Sequence, residues 1–130
     1  MMRRLSLACA LALLAASPAV SQSAPAQTDA APYDGKLLRL AEILGSVDYL
    51  RHLCGATDAA EWRTAMQDLI ERETAGEEKR RERLTAAFNR GYRSFASVYT
   101  RCTPAAVSAE QNYRAEGATL VAEIVARYGN

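Results

Sequence analysis

Four stretches of the chain repeat apolar residues at steps of three and four, and no stretch of useful length alternates with a period of two. Steps of three and four place side chains on one face of an α-helix, whereas a period of two is typical of a half-buried strand. The pattern therefore predicts an all-α fold with four helices and no strand.

The first two helices have recognisable ends. Asp34 is suited to cap the first helix, and Gly55 to end it. Asp58 and Glu61 have the spacing of a capping box, which predicts the start of a second helix that fades at residues 74–76. The apolar faces consist of Leu40, Ile43, Val47, Leu50 and Cys54 in the first helix, and of Trp62, Ala65, Met66, Leu69 and Ile70 in the second.

The third helix is predicted to begin in the charged run EEKRRER and to continue to Cys102. Thr103 is a good N-cap and Pro104 suits the first helical position, so a fourth helix should follow directly and end before Gly129. Glycine weakens a helix interior, so Gly91 and Gly117 predict close helix packing. The apolar faces consist of Leu84, Phe88, Gly91, Phe95, Val98 and Cys102, and of Val107, Tyr113, Gly117, Leu120, Val121, Ile124, Val125 and Tyr128.

The first residues have the composition of an export signal. A basic start precedes an apolar stretch from Leu5 to Ala16, which is too short to span a bilayer. Small residues favour cleavage after Ser21, with Ala19 as the alternative, so residues 1–21 are predicted to be a signal peptide. Lipid attachment at Cys9 is a weaker alternative, because most of the apolar stretch would then follow the cysteine instead of preceding it.

Residues 22–32, QSAPAQTDAAP, combine two prolines with small polar residues and predict a flexible tether. Residues 33–130 are then long enough for one helical domain with a modest core. Loss of Arg3 and Arg4 with the leader reduces the 16 Lys and Arg residues to 14, against 15 Asp and Glu. This balance gives no bulk charge that would attract nucleic acid, and no membrane span is predicted in the mature chain.

Cys54 and Cys102 are the two cysteines that follow the predicted leader. An even pair in an oxidising compartment predicts one disulfide. Short connections favour a small up-down four-helix bundle, in which the first and third helices are parallel and end side by side. Both cysteines stand at those ends, so the expected disulfide joins the two helices.

The wording of several segments resembles an uncharacterised family of small exported proteins of Gram-negative bacteria, known as a domain of unknown function. The resemblance covers residues 32–129 and is most specific in the block NRGYRSF, followed by a tyrosine and by CTP. It implies a secreted helical domain with the two cysteines. It implies no activity and transfers no functional residue.

Arginines and tyrosines at helical spacing form the best candidate for a binding surface. Arginine forks pair with carboxylates or phosphates, and tyrosines stack on sugars or peptides. The alternative is a solvated face whose arginines pair with glutamates of neighbouring helices. The predicted partner-binding residues are Arg90, Tyr92, Arg93, Tyr99 and Arg101, with Ser97 between them.

No catalytic, cofactor-binding or metal-binding residue is predicted. His52 is the only histidine and suits the last turn of the first helix, and Met66 is expected in the core, so neither a metal site nor a haem is favoured. Single-glutamate catalysis would need a cleft that perturbs the acid. The glutamates available for it are Glu61, Glu71, Glu110 and Glu116.

These features together predict a non-enzymatic interaction module of the cell envelope, exported to the periplasm, that binds a protein partner or peptidoglycan. A small periplasmic stress chaperone, which would loosen in acid and expose apolar surface, is the alternative hypothesis. An enzyme acting on the cell wall is the third.

Overall fold

The computed structural model describes residues 30–129, and helices form most of this part of the chain. The helices are α1 (Asp34–Leu53), α2 (Ala59–Glu73), α3 (Glu78–Ala96) and α4 (Pro104–Tyr128). No strand occurs in residues 30–129, so the predicted all-α fold of four helices is confirmed. The predicted signal peptide and most of the predicted tether lie outside the described residues.

The helices alternate in direction, as the short connections predicted. Arg80 at the start of α3 bonds Asp34 at the start of α1, and the rings of Tyr49 and Tyr92 meet near the other ends, 5.2 Å apart. These contacts make α1 and α3 parallel.

The other two helices run antiparallel to α1. Glu73 at the end of α2 accepts a 3.2 Å hydrogen bond from Tyr33, just before α1. Tyr128 at the end of α4 packs against the same tyrosine with ring centroids 5.3 Å apart. At the opposite end, Arg51 of α1 donates to Glu110 of α4 over 2.8 Å.

The packing differs from a regular four-helix bundle, because α1 is a central helix that contacts all three others. No Cα atom of α4 lies within 8 Å of a Cα atom of α2 or α3. The buried positions of α1 accordingly lie on several sides of the helix and include Ser46 and Asp48. The predicted up-down order is therefore correct, and the helices are arranged around α1.

The core lies between α1 and its neighbours. Ile43, Val47 and Leu50 are completely buried, and Met66 is 3% exposed. Gly117 of α4 also lies at a helix contact as predicted, since a Cβ atom there would be 3.3 Å from the Ile43 side chain. A further cluster of buried residues consists of Leu37, Leu40, Ala41, Met66, Leu84, Ala87 and Phe88.

Four valines assigned to apolar faces are exposed instead. α3 ends at Ala96, six residues before Cys102, so the helical pattern no longer applies at Val98. The other three belong to α4, which packs mainly against α1 and meets α3 where the rings of Tyr113 and Phe95 lie 5.0 Å apart. The exposed fractions are 69% for Val98, 40% for Val107, 44% for Val121 and 58% for Val125.

Of the three predicted N-caps, one is confirmed, one has the predicted position without the capping bond, and one is wrong. Thr103 caps α4 by accepting a 3.1 Å hydrogen bond from the backbone of Ala106. Asp34 is instead the first residue of α1, and Asp58 stands at the cap position of α2 without a capping bond. Both carboxylates accept from arginines, Arg80 and Arg51 respectively. A guanidinium forms a stronger, charge-assisted bond than a backbone amide does.

Candidate functional site

The predicted arginine surface is divided by the end of α3. Arg90 and Arg93 are exposed on the helix, whereas Arg101 follows it in an irregular segment. Arg90 donates to Glu42 of α1 over 3.2 Å, the internal pairing that the sequence offered as the alternative. Arg93 and Arg101 are exposed and form no ion pair within residues 30–129. They do not continue one helical stripe, and their binding role stays a prediction.

The two tyrosines of this surface are half-buried. The ring of Tyr92 meets Tyr49 edge to face, and the ring of Tyr99 stacks on Phe95 with centroids 5.9 Å apart. Tyr49 also donates a hydrogen bond to the backbone carbonyl of Tyr99. These tyrosines therefore stabilise the contact between the ends of α1 and α3.

The predicted cysteine pair is at disulfide distance, although Cys102 lies beyond the end of α3 and not in its last turn. The sulfur atoms of Cys54 and Cys102 are 1.99 Å apart, at disulfide distance, and the Cα atoms are 4.9 Å apart. The pair connects the end of α1 to the segment between α3 and α4, across a sequence separation of 48.

His52 is in the last turn of α1, with its Nδ1 atom 2.8 Å from the backbone carbonyl of Asp48. Met66 is in the core, as expected. No group of three or more His, Cys, Asp or Glu side chains in residues 30–129 is arranged to hold a metal ion.

The glutamates considered for acid catalysis are not placed as a buried acid in a cleft. Glu110 accepts from Arg51 over 2.8 Å, and Glu116 accepts from Arg39 over 2.8 and 3.0 Å. Glu61 and Glu71 are exposed.

An apolar groove that the sequence did not reveal lies along α1 between α2 and α4. It has a volume of about 530 Å³. Its floor consists of α1 side chains and its walls of α4 side chains and Trp62 of α2. The lining residues are Leu40, Ile43, Leu44, Val47, Trp62, Arg114, Gly117, Ala118, Val121, Ala122 and Val125.

The groove exists because α2 and α4 do not meet over the central helix. Val121 and Val125 on its α4 wall are 44% and 58% exposed, although each belongs to the apolar pattern of that helix. Arg114 is the one charged residue that lines the groove, and its side chain is half exposed beside Glu110. The groove is therefore an apolar surface with a cation at its edge.

A network around Arg51 fixes the tryptophan wall. Arg51 donates to Asp58 at the start of α2 and to Glu110 of α4, and its guanidinium lies over the Trp62 ring, 5.3 Å from the centroid. The bond from Arg51 holds the pKa of Asp58 below its ordinary value, and the same bond raises the pKa of Arg51. These contacts join α1, α2 and α4 at the end of the groove.

A buried carboxylate lies where α1 packs against α2. Asp48 is 1% exposed and accepts a 2.5 Å hydrogen bond from Arg63 of α2, while its Oδ1 atom has no hydrogen-bond partner in residues 30–129. The same Oδ1 atom is 3.4 Å from Nδ1 of His52. Burial raises the pKa of Asp48, because the loss of solvation outweighs the attraction of Arg63 and His52.

Comparison with known proteins gives one match. The family model described as "Protein of unknown function (DUF2385)" matches residues 32–128, which is nearly all of the described chain. No curated protein and no solved structure matches. No helix in residues 30–129 is both long enough and apolar enough to cross a membrane.

Proposed function

The chain belongs to the DUF2385 family, whose description assigns no activity, and we propose from its geometry that it is an exported, non-enzymatic interaction module of the cell envelope. Its ligand in this proposal is the apolar face of an amphipathic helix in a partner protein. The observation that carries the proposal is the open apolar groove between α2 and α4.

The spacing of the groove residues supports a helical ligand. Leu40, Ile43, Leu44 and Val47 follow one another at helical steps on α1, and Ala118, Val121, Ala122 and Val125 do so on α4. Rows of this kind form the ridges and grooves into which a further helix packs. Amphipathic helices bind such grooves through apolar residues spaced three and four apart.

The charge at the edge of the groove restricts the chemistry of the proposed partner further. Arg114 is the one charged residue that lines the groove. A partner helix with an acidic residue beside its apolar face would place that carboxylate against Arg114, and a charge-assisted bond would fix the direction of the helix. The chemistry of the proposed partner is thus an apolar helix face with a flanking aspartate or glutamate.

Export is supported by two independent features. The basic and apolar start of the sequence suits a signal peptide, and Cys54 and Cys102 are at disulfide distance. Disulfides persist in oxidising compartments such as the periplasm. The periplasm is therefore part of the proposal.

The surface of Arg93 and Arg101 is a second candidate contact, for the same partner or for peptidoglycan. Its support is that both guanidinium groups are exposed without an ion pair in the described part of the chain. An enzymatic role has less support, since the glutamates pair with arginines or face solvent.

The test uses a photo-crosslinking residue at Ala118, inside the groove, in protein exported to the periplasm of intact cells. Thr119 is the matched control position, because it is exposed on the same helix but does not line the groove. We expect one dominant adduct from position 118 and none from 119. The crosslinked peptide should show apolar residues at helical spacing.

A synthetic peptide of the captured segment then provides a direct binding measurement. Trp62 is the only tryptophan and lines the groove, so its fluorescence should shift on binding. Glutamates at Val121 and Val125 should weaken binding about tenfold or more, since each would bury a charge against the apolar peptide. Glutamates at Val98 and Val107 are the control, because these valines are exposed outside the groove.

Three results would contradict the proposal. Capture of many unrelated sequences would favour the chaperone hypothesis. Capture of a second copy of this chain alone would make the groove a self-association surface, and no capture would leave the groove without a partner.

A further inference from the structure

A second cleft lies on the other side of α2, between that helix and α3, and its lining is polar. It has a volume of about 470 Å³, which is within the range of small-molecule sites. α2 and α3 contact each other only sparsely, which leaves this space open. The lining residues are Arg63, Gln67, Asp68, Ile70, Glu71, Arg81, Thr85, Phe88 and Asn89.

The polar residues form two facing rows over an apolar floor. The floor is Phe88 and Ile70, of which Phe88 is 8% exposed. Because α2 and α3 are antiparallel, the end of the cleft with Glu71 also has Arg81. The rows are Arg63, Gln67 and Glu71 on α2, and Arg81, Thr85 and Asn89 on α3, each at steps of four.

Arg81 supplies a donor that nothing in the described chain satisfies. Its Nε atom is buried and has no hydrogen-bond partner within residues 30–129. The nearest carboxylate oxygen, on Glu78, is 4.0 Å away, which is too far for a hydrogen bond. The Arg81 side chain is nevertheless 36% exposed, so a ligand carboxylate in the cleft would bond the outer nitrogens of its guanidinium and not the buried Nε atom. Thr85, one turn further along α3, adds a hydroxyl on the same face.

The other arginine of the cleft is already engaged. Arg63 donates to Asp48 over 2.5 Å, and its guanidinium lies 5.8 Å from the ring centroid of Phe88 and 5.7 Å from that of Tyr92. Arg63 therefore closes one end of the cleft, and Arg81 is the guanidinium available to a ligand anion. Asp68 and Glu71 also line the cleft, so its two basic and two acidic side chains balance and favour a ligand with no more than one carboxylate.

We infer that this cleft binds a sugar that carries one carboxylate. Arg81 and Thr85 would hold the carboxylate, and the amides of Gln67 and Asn89 provide donors and acceptors for hydroxyl or acetamido groups. Ile70, together with the small exposed part of Phe88, offers an apolar floor for the apolar face of a sugar ring. This site is separate from the groove and does not depend on the proposed helical partner.

The test measures binding by ligand-observed NMR on the mature protein. N-acetylmuramic acid and glucuronic acid are the acidic probes, and N-acetylglucosamine is the neutral one. A peptidoglycan disaccharide-peptide fragment, run in parallel, distinguishes a wall source from a free sugar. We expect both acidic sugars to bind. The neutral sugar should bind with an affinity lower by about tenfold or more, because it lacks the carboxylate.

Variants then assign the site. Arg81→Gln should reduce the affinity for the acidic sugars about tenfold or more, while Lys79→Gln, an equal charge change on an exposed residue outside the cleft, should not. Asn89→Ala, at an exposed position, provides a second variant that does not threaten the core. Val121→Glu and Val125→Glu should leave sugar binding unchanged, which separates this inference from the groove.

Equal binding of the neutral and acidic sugars would overturn the inference, as would an equal loss in Lys79→Gln. Binding of a zwitterionic dipeptide in place of every sugar would show that the ligand class is wrong. Absence of binding by all probes would show that the cleft is only loose packing.

Discussion

Gly45 of α1 and Gly91 of α3 lie at one helix crossing, where the backbone of each helix occupies the space that a side chain would need on the other. A Cβ atom on Gly91 would be 1.9 Å from the carbonyl oxygen of Glu42, and one on Gly45 would be 2.0 Å from that of Phe88. Backbone atoms cannot move aside as a flexible side chain can. These two glycines therefore allow the most extensive helix contact of the fold.

Gly91→Leu should lower the free energy of unfolding by about 1–3 kcal/mol, because added bulk at a tight contact forces the helices apart. Urea denaturation measures the change. Gly35→Ala is the control, since no atom of the described chain other than its neighbours and the local backbone of α1 lies within 4 Å of a Cβ there, and it should be neutral or slightly stabilising. A Gly91→Leu protein that melts higher than the parent would show that this position tolerates a side chain.

The sequence predicted close helix packing at Gly91, because a glycine there interrupts the regular apolar face of a helix. Gly45 gave no such signal, since it lies between Leu44 and Ser46 in a helix whose pattern is apolar on several sides. A helix of this kind is central, and periodicity cannot tell which neighbour covers each side. The predicted helices and the cysteine pair were thus accessible from the sequence, whereas the central place of α1 was not.

The apolar groove and the polar cleft were not predicted from the sequence, for a related reason. The valines at 121 and 125 fit the apolar face of α4, and the sequence does not show that α2 stops short of covering them. Arg81 likewise belongs to a charged run that looks solvated throughout. Burial of single atoms depends on the distance between helices, which follows from packing and not from spacing along the chain.

Arg80→Ala should destabilise the protein by up to about 3–5 kcal/mol, because it leaves the buried Asp34 carboxylate with only Arg83, 3.6 Å away, as a counter-charge. Arg80 donates to Asp34 over 2.9 and 2.7 Å, and the two side chains are only 9% and 10% exposed. Thermal and urea unfolding measure the loss. Arg81→Ala is the neighbouring control and should change stability by less than about 1 kcal/mol.

A double variant, Asp34→Asn with Arg80→Met, should recover part of the stability that Arg80→Ala loses, because no unpaired buried charge remains. If Arg80→Ala were as stable as the parent, the pair would contribute nothing to the junction of α1 and α3.

Protein taken from the periplasm should contain no free thiol after removal of the leader. Thiol labelling under denaturing conditions measures this directly. Replacing Cys54 and Cys102 by serine should cost about 4 kcal/mol, since the cross-link restricts the unfolded chain over a separation of 48 residues. Two reactive thiols in the exported protein would contradict the disulfide.

Replacing Arg90, Arg93 and Arg101 together by glutamine should leave the melting temperature within a few degrees of the parent. The Arg90 side chain is 56% exposed in its pair with Glu42, and such pairs contribute about 0–1 kcal/mol. An arginine at an interface can contribute about 2 kcal/mol or more, so we expect the captured partner to be lost. Unfolding would show that the arginines are structural, and unchanged capture would remove them from the interface.

The buried carboxylate of Asp48 should make stability depend on pH in acid, with a sign opposite to that of a salt-bridged carboxylate. Burial raises its pKa in the folded protein above the ordinary value of 3.8. Within the window that begins at this value and ends at the raised pKa, the folded state holds more protons than the unfolded state. The contribution of Asp48 to the free energy of unfolding therefore falls as the pH rises through that window and is constant above it.

Asp48→Asn isolates this effect, because asparagine does not titrate and can still accept a hydrogen bond from Arg63. Asp58 and Glu123, whose pKa values are lowered by bonds from Arg51 and Lys36, make stability fall in acid, but both proteins share them and the difference cancels. We expect the unfolding free energy of the parent minus that of the variant to decrease from about pH 3.5 upward and then to level off. Urea titrations at each pH, in a His52→Gln background that removes the only histidine, measure this difference. A difference that stays flat throughout the acid range would show that Asp48 has an ordinary pKa, and one that increases with pH would show that Arg63 outweighs burial.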